Sequence, residues 1–404
     1  MKPKWLETHC MKLVDRQLQS IEVGLLIMRL PDQTELRYGD ESSKTHQHIQ
    51  IHDYAFFVHI VFAGNIGLGE AYTDALWDTS DLAGLLSLFI YNMEPLKNSG
   101  ITRGWIKRIL HLLSHAVRRN TKSGSRKNIQ AHYDLGNDFY RLFLDRETML
   151  YSSAIFQHAE EPLAEAQRTK IHHLIRLADI KAHHHVLEVG CGWGGFAIET
   201  ARMTGCRVTG ITISPAQYAL ATERIKEAGL TDQIELQLCD YRDVKGSFDR
   251  IVSIEMLEAV GHAYYGTYFE NLDRLLKPGG RIALQVITIP DQRYQAYRRN
   301  PDWIQKHIFP GGILPSLTEL TKAMTTHSTL HIDSIDNIGI HYAETLRRWR
   351  QACNNQANTL TSMGYDEIFQ RKWIYYLAYC EASFQTEFNN DLHIVIKRPA
   401  QFAC

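Results

Sequence analysis

The eleven residues VLEVGCGWGGF, at positions 186–196, constrain this chain more than any other stretch. An apolar run interrupted by Glu188 breaks into Gly190, Gly192, Gly194 and Gly195. That pattern predicts a short buried strand running into a tight turn and then a helix. Glycines remove Cβ atoms where a ligand must touch backbone. The first helical turn offers free N–H groups to the same place. The rest of the chain can be arranged around this turn.

The spacing fits two ligand patterns. Gly190, Gly192 and Gly195 match G-x-G-x-x-G, the dinucleotide fingerprint, whereas Glu188, Gly190, Gly192 and Gly194 match E-x-G-x-G-x-G, found in enzymes that use S-adenosylmethionine (SAM). The dinucleotide reading wants an acid at the end of the next strand for the ribose. Here that strand ends at Ile211-Thr212 with no acid, which weakens NAD and counts a little against SAM too. A turn with no ligand would order four glycines without a reason.

Strands and helices alternate from this turn onward. Strands are expected at 186–189, 207–211, 234–238, 248–254, 281–289, 330–335 and 392–397, with helices at 195–204, 215–228, 262–276, 342–363 and 366–388. The pattern predicts an α/β, Rossmann-like, doubly wound and mostly parallel seven-stranded sheet, with its site at the strand C-termini. Residues 290–317 are long for a connection and suggest a lid or substrate-binding insertion. Upstream, a helix at 1–20, a hairpin from 23–28 to 34–38, strand-like residues 49–62, a loop at 64–69 and a helix at 82–91 suggest a smaller α+β domain. The apolar windows 54–72 and 82–91 are broken or too short to span a bilayer and read as core. At 404 residues there is room for two domains. The linker-like TKSGS at 121–125 divides them into 1–120, lipid- or membrane-associating, and 121–404, carrying the chemistry.

Charge narrows the partners. A formal net charge of -1 gives no basic field for nucleic acid. Between Glu94 and Asp134 there is no acid, while Arg103, Lys107, Arg108, Arg118, Arg119, Lys122, Arg126 and Lys127 are basic. Trp105, Ile106, Ile109, Leu110, Leu112, Leu113 and Val117 add an apolar face at helical spacing. Such a helix suits an anionic membrane surface, each basic residue contributing about 1 kcal/mol; a solvated linker helix is the plainer reading. Seven scattered cysteines without C-x-x-C, and no signal-peptide core at 1–22, point to the cytoplasm. The expected location is cytoplasmic, peripheral to the inner membrane face, with a homodimer as an admissible assembly.

Nine motifs then fall in one order: AHYDLGNDFY, YSSAIF, VLEVGCGWGGF, GITISPAQ, DYRDV, FDRIVSIEMLEAVG, LKPGG, IFPGGILPS and YLAYCEASF. In that order the chain resembles the cyclopropane-fatty-acyl-phospholipid synthase and mycolic acid methyltransferase family over residues 128–399. The resemblance implies transfer of the SAM methyl group to the cis double bond of unsaturated phospholipid acyl chains, giving cyclopropane fatty acids. A weakly nucleophilic alkene needs the methyl group held in line. The cation formed needs a dry aromatic pocket and a base. In the family a bound bicarbonate takes the proton.

The matches are residue by residue. Tyr151 and Ser152, the loop Glu188, Val189, Gly190, Cys191, Gly192, Trp193 and Gly194, then Thr212, Ser214 and Gln217, and finally Asp240, Tyr241 and Arg242 fall on the SAM-contacting positions. Asp240 also reads as a plain strand-end cap. Glu258, Tyr342 and the backbone of Ile287 fall on the base site. Ser153, Gln285 and Ala259 stand where the family carries cysteine, histidine and histidine. Serine and glutamine still hydrogen-bond an anion, so the residues admit bicarbonate in an altered site. A differently quenched cation would give a methyl branch or a methylated alkene instead of a ring. Cys380 matches a cysteine associated with the family's activity, although the chemistry needs no thiolate. The consecutive His183, His184 and His185 have no ligand spacing, so no metal is expected. Methyl transfer to another lipid-like acceptor, or a non-catalytic SAM-binding lipid protein, are the competing readings.

Overall fold

A computed structural model describes residues 2–98 and 135–400. The chain divides into two compact units. The first takes the residues up to 114 with 300–308 and 349–388; the second takes 115–299, 309–348 and 389–404. Residues 300–308 and 349–388, given to the second domain by a single cut at residue 120, therefore pack with the first. That cut, and the basic stretch from Arg103 to Lys127, lie outside the described residues.

The first unit holds a sheet ordered β2-β1-β3-β4, made of β1 (Leu25–Arg29), β2 (Glu35–Gly39), β3 (His46–Ile51) and β4 (Trp77–Asp78). β1 and β2 form the expected antiparallel hairpin, and β3 adds parallel to β1. One expectation fails. Residues 55–62 are not a strand and 64–69 are not an open loop, because Ala55–Thr73 is helical on both sides of a kink at Gly64. There φ is 55° and ψ is -131°, a conformation open to glycine. Phe, Val and Ile favour strands locally. Packing overrides that preference: Phe56, Phe57 and Ala71 are buried, and the helix lies against helices Trp5–Leu18 and Glu367–Gln385. Among the described residues this helix alone is long and apolar enough to cross a membrane by length and composition. Its Phe62 is 58% exposed.

The second unit is built on a seven-stranded sheet of β5 (His185–Val189), β6 (Arg207–Thr212), β7 (Ile234–Leu238), β8 (Phe248–Ile254), β9 (Leu276–Thr288), β10 (His331–Asn337) and β11 (Asn390–Lys397). Its order is β10-β11-β9-β8-β5-β6-β7. β9, β8, β5, β6 and β7 are mutually parallel, and β11 runs against both its neighbours. Both faces are covered, as a parallel sheet requires. Leu187, Ile251 and Ile282 face a core with Phe269 and Leu272 of helix Tyr265–Leu275. Val186, Val208 and Val252 face another with Ile171 and Leu174 of helix Leu163–Leu177 and Phe196 of helix Gly195–Thr204. Ser214 caps helix Pro215–Glu227 by accepting from Gln217 N, and Pro215 supplies a preset first turn. The chain leaves β5 toward β6 on one side and returns to β8 on the other. The ends of β5 and β8 thus form the crevice where such sheets bind ligands.

Gly195 begins its helix so close to the preceding segment that a Cβ would stand 2.1 Å from the Thr148 carbonyl oxygen. Gly195→Ala should displace that segment and cost about 1–3 kcal/mol. Thermal unfolding checks this; an unchanged midpoint would refute the close approach.

Candidate active site

The glycine turn has the geometry its sequence requires. Gly190, Gly192 and Gly194 take φ values of 86°, 51° and 80°. The N–H groups of Gly190 and Cys191 both donate to Ile211 O, at 3.1 and 2.9 Å, which ties the turn to β6. A Cβ on Gly192 would meet nothing within 4 Å, so the turn opens to free space there. Beneath it Glu188 is 2% exposed and its Oε2 has no hydrogen-bond partner. Burial pushes this carboxyl up to about 8, against the pull of Lys170. An orphaned buried oxygen under an open glycine cradle is what an amino-acid ligand such as the methionine part of SAM would satisfy.

Beside the turn, at the end of β8, several acids converge. Glu255 accepts from Ser153 N and Gln285 Nε2 at Oε1, both 2.8 Å, and from the Tyr342 hydroxyl at Oε2, 2.6 Å. The Gln285 amide also donates to Asp391 Oδ2 at 2.9 Å, and its oxygen meets His393 Nε2 at 3.2 Å. Glu258 Oε1 accepts from Ile287 N at 2.6 Å, while its buried Oε2 has no partner. Lys170, fully buried, donates to Ser152 Oγ at 2.6 Å. Asp391, Gln285 and Ser153 are closed off, whereas Glu255 and Glu258 keep a partial opening.

Burial and mutual repulsion set the charges, since close buried acids cannot all ionise. Burial, then the Glu255 charge, pushes Glu258 up to about 8. Asp391 is raised well above the carboxylate range for the same two reasons. Lys170 is pushed down to about 8 by burial, opposed by Glu255 and Asp391. Burial also raises Glu255, but Tyr342, Ser153, Lys170 and Gln285 all favour its ionised form.

The other expected site residues fall in several places. The Ser153 hydroxyl turns to Ala154 O at 3.0 Å, so only its backbone faces the acids. Thr212 Oγ1 donates to Gln217 Oε1 at 2.8 Å and accepts from Ser214 N at 3.1 Å, a closed set at the end of β6. Asp240 caps the turn Tyr241–Asp243 and holds Arg242 through two contacts of 2.7 Å, so the strand-end reading of Asp240 holds in the structure. The Tyr241 hydroxyl is buried without a partner. Trp193 donates to Asn137 Oδ1 at 2.8 Å and packs on Tyr140, which also meets Tyr151 edge-on. Ser253 Oγ donates to Val189 O at 3.1 Å. Cys191 is buried. Cys380 lies on helix Glu367–Gln385 in the first unit. His184 accepts from Lys181 N and His185 meets Thr209 Oγ1, so this run is engaged locally. Sequence reasoning passed over Glu255, Lys170 and Asp391. An acid at the C-terminal end of a parallel strand was a usable signal for Glu255; Lys170 and Asp391 had none.

A glycine turn at the switch point of this sheet, with buried polar groups around it, is a cofactor site of the kind that SAM-dependent methyltransferases carry, and the family and relatives that the chain matches place it among those enzymes. Residues 120–394 match the mycolic acid cyclopropane synthetase family, and the chain belongs to that family. It is 40% identical over 330 residues to the tuberculostearic acid methyltransferase UfaA1 of Mycobacterium tuberculosis, covering 80% of this chain and 76% of the relative. It is 34% identical over 343 residues to the cyclopropane-fatty-acyl-phospholipid synthase of Escherichia coli K12, covering 83% and 84%. The mycolic acid cyclopropane synthase CmaA1 complexed with SAH and CTAB superposes with a TM-score of 0.63 and 28% identity, over 68% of this chain and 98% of that one. The family's chemistry is SAM-dependent methylation of lipid acyl chains.

The acid cluster makes stability depend on pH. Glu258 rises from 4.5 to about 8 on folding, so the folded state binds the extra proton. Its contribution is full below the unfolded value and is lost as pH rises through about 8. Glu258→Gln should therefore flatten the loss of stability between about pH 5 and pH 8, by up to about 1.4 kcal/mol per pH unit. Denaturant titrations across that range check this; parallel curves would refute it.

Proposed function

We propose that this enzyme methylates the cis double bond of unsaturated phospholipid acyl chains and closes a cyclopropane ring. The observation that carries the reading is the pair of hydrogen-bonded acids, Glu255 and Glu258, beside the glycine turn. Glu188 and the turn from Gly190 to Gly194 would hold the amino-acid end of SAM, with Tyr151 and the Thr212–Gln217 set around it. SAM supplies an electrophilic methyl group on a sulfonium. The chain's own residues must then exclude water, orient the alkene and hold the departing proton. Tyr265, Tyr268 and Phe269 are packed in the core of the second unit. Glu258, held by Ile287 N–H, has an oxygen left over for a reacting group.

A second reading has a specific support. The relative at 40% identity is a tuberculostearic acid methyltransferase, and Gln285, a residue that cannot carry a positive charge, is the donor between two acids. Proton loss to a methylated alkene, rather than to a ring, suits that arrangement equally. A saturated branch would require a hydride donor as well.

We also propose a cytoplasmic enzyme that works at an anionic membrane surface. The acid-free stretch 95–133 and the exposed Phe62 on an apolar helix support this. Replacing Arg118, Arg119, Arg126 and Lys127 with Gln should reduce retention on anionic vesicles; unchanged retention would sink the idea.

The purified protein, incubated with SAM and vesicles of dioleoyl phosphatidylglycerol, should add the mass of one CH₂ to the oleoyl chains. Carbon NMR of the product separates ring from alkene. Glu258→Gln should keep SAM binding near normal while turnover falls at least about a hundredfold. Absence of any mass gain would overturn the substrate assignment, and unchanged turnover in the variant would overturn the role of Glu258.

A further inference from the structure

We propose that Glu255 is a built-in replacement for the bicarbonate that the family resemblance implies, and that its carboxylate is the proton acceptor of the reaction. This rests on the acyl-chain methylation proposed above. Three of the groups matched to the bicarbonate site, Ser153 N–H, the Gln285 amide and the Tyr342 hydroxyl, all donate to Glu255. The Ile287 N–H, the backbone group of that site, is taken by Glu258. A free oxyanion would have to displace both acids to find its donors. The residues therefore do not fit a bound bicarbonate.

A glutamate carboxylate offers the same flat pair of oxygens and the same single charge. It is also held in an unusual way. Glu255 has a φ of 46°, in the left-handed region that residues with a Cβ avoid. Its N–H donates to Gln285 O at 2.8 Å, which locks the strand end while the side chain turns back onto the donors. Backbone strain of this kind, over-determined by its surroundings, clusters at functional sites. Glu255 keeps a partial opening, unlike the closed Gln285, Ser153 and Asp391 behind it.

The step balances without another reactant. After methyl transfer the substrate is a carbocation. For the ring, a C–H bond of the new methyl group breaks and its electron pair closes onto the cationic carbon; for the alkene, the C–H bond on the carbon that carries the new methyl group breaks and its pair forms the double bond. The proton forms an O–H bond on Glu255, leaving a neutral carboxylic acid that later releases it to water.

The test compares wild type with Glu255→Gly, which relieves the backbone and opens the anion site, and Glu255→Gln, which keeps the side chain's shape. Each is assayed with SAM and dioleoyl phosphatidylglycerol vesicles in CO₂-free buffer and again with added bicarbonate. Wild type should change less than about twofold; Glu255→Gly should fall at least about a hundredfold and recover at least about tenfold with bicarbonate, and Glu255→Gln should fall without recovering. A bicarbonate requirement in wild type, or full activity in Glu255→Gln, would overturn the proposal. Bicarbonate-induced shifts in melting temperature give a readout that needs no turnover. A shift in Glu255→Gly and none in wild type supports the replacement, and a shift in wild type overturns it. If wild type methylates nothing, the substrate assignment fails while this second readout still decides whether Glu255 fills the anion site.

Discussion

Holding an acid in the interior requires donors, and here several elements are arranged to supply them to one carboxylate. Glu255 ends β8, and it receives hydrogen bonds from the segment after Thr148, from β9 and from helix Gly339–Asn355. The same segment is pinned to that helix by Ala154 N donating to Thr345 Oγ1 at 3.1 Å. Removing the carboxylate would take away the acceptor that these donors share, and each buried donor left unsatisfied costs about 1–3 kcal/mol. Keeping it means that the surrounding acids share protons instead of all carrying charge. The ends of the central strands are therefore held by electrostatics as much as by packing.

The segment Tyr151-Ser152-Ser153 joins the two halves of the site. Ser152 takes the hydrogen bond of buried Lys170, and Ser153 gives its N–H to Glu255. The lysine lowers the cost of ionising both Glu188, under the glycine turn, and Glu255, beside it. One cation thus acts on the carboxyl under the turn and on the carboxyl at the end of β8 together. The exchange of cysteine for Ser153 matters little in this geometry, because the backbone and not the hydroxyl faces the acids.

Much of the fold was legible because its signals are local. Strands β7 and β8 and helix Gly195–Thr204 occupy the residues their apolar pattern indicates. The Pro215 helix start and the glycine turn are set by chemistry within a few residues. The failure at Ala55–Thr73 is instructive. Its aromatic and β-branched residues favour strand, its glycines favour loop, and both preferences yield to packing against helices distant in sequence. Asp240 is a case where the structure adds the local partners, since its carboxylate holds Arg242 and caps its own turn.

By itself the sequence determined the alternation of strands and helices, the glycine turn and the family to which the chain belongs. Those depend on periodicity, turn chemistry and motif order, which are properties of neighbouring residues. Only the tertiary structure decided what holds the acid cluster together. Lys170, Glu255, Gln285, Tyr342 and Asp391 are spread along the second unit and meet because the sheet order places β8 beside β9 and β9 beside β11. Hydrogen bonds and buried charge depend on distance in space, and no pattern along the chain records that distance.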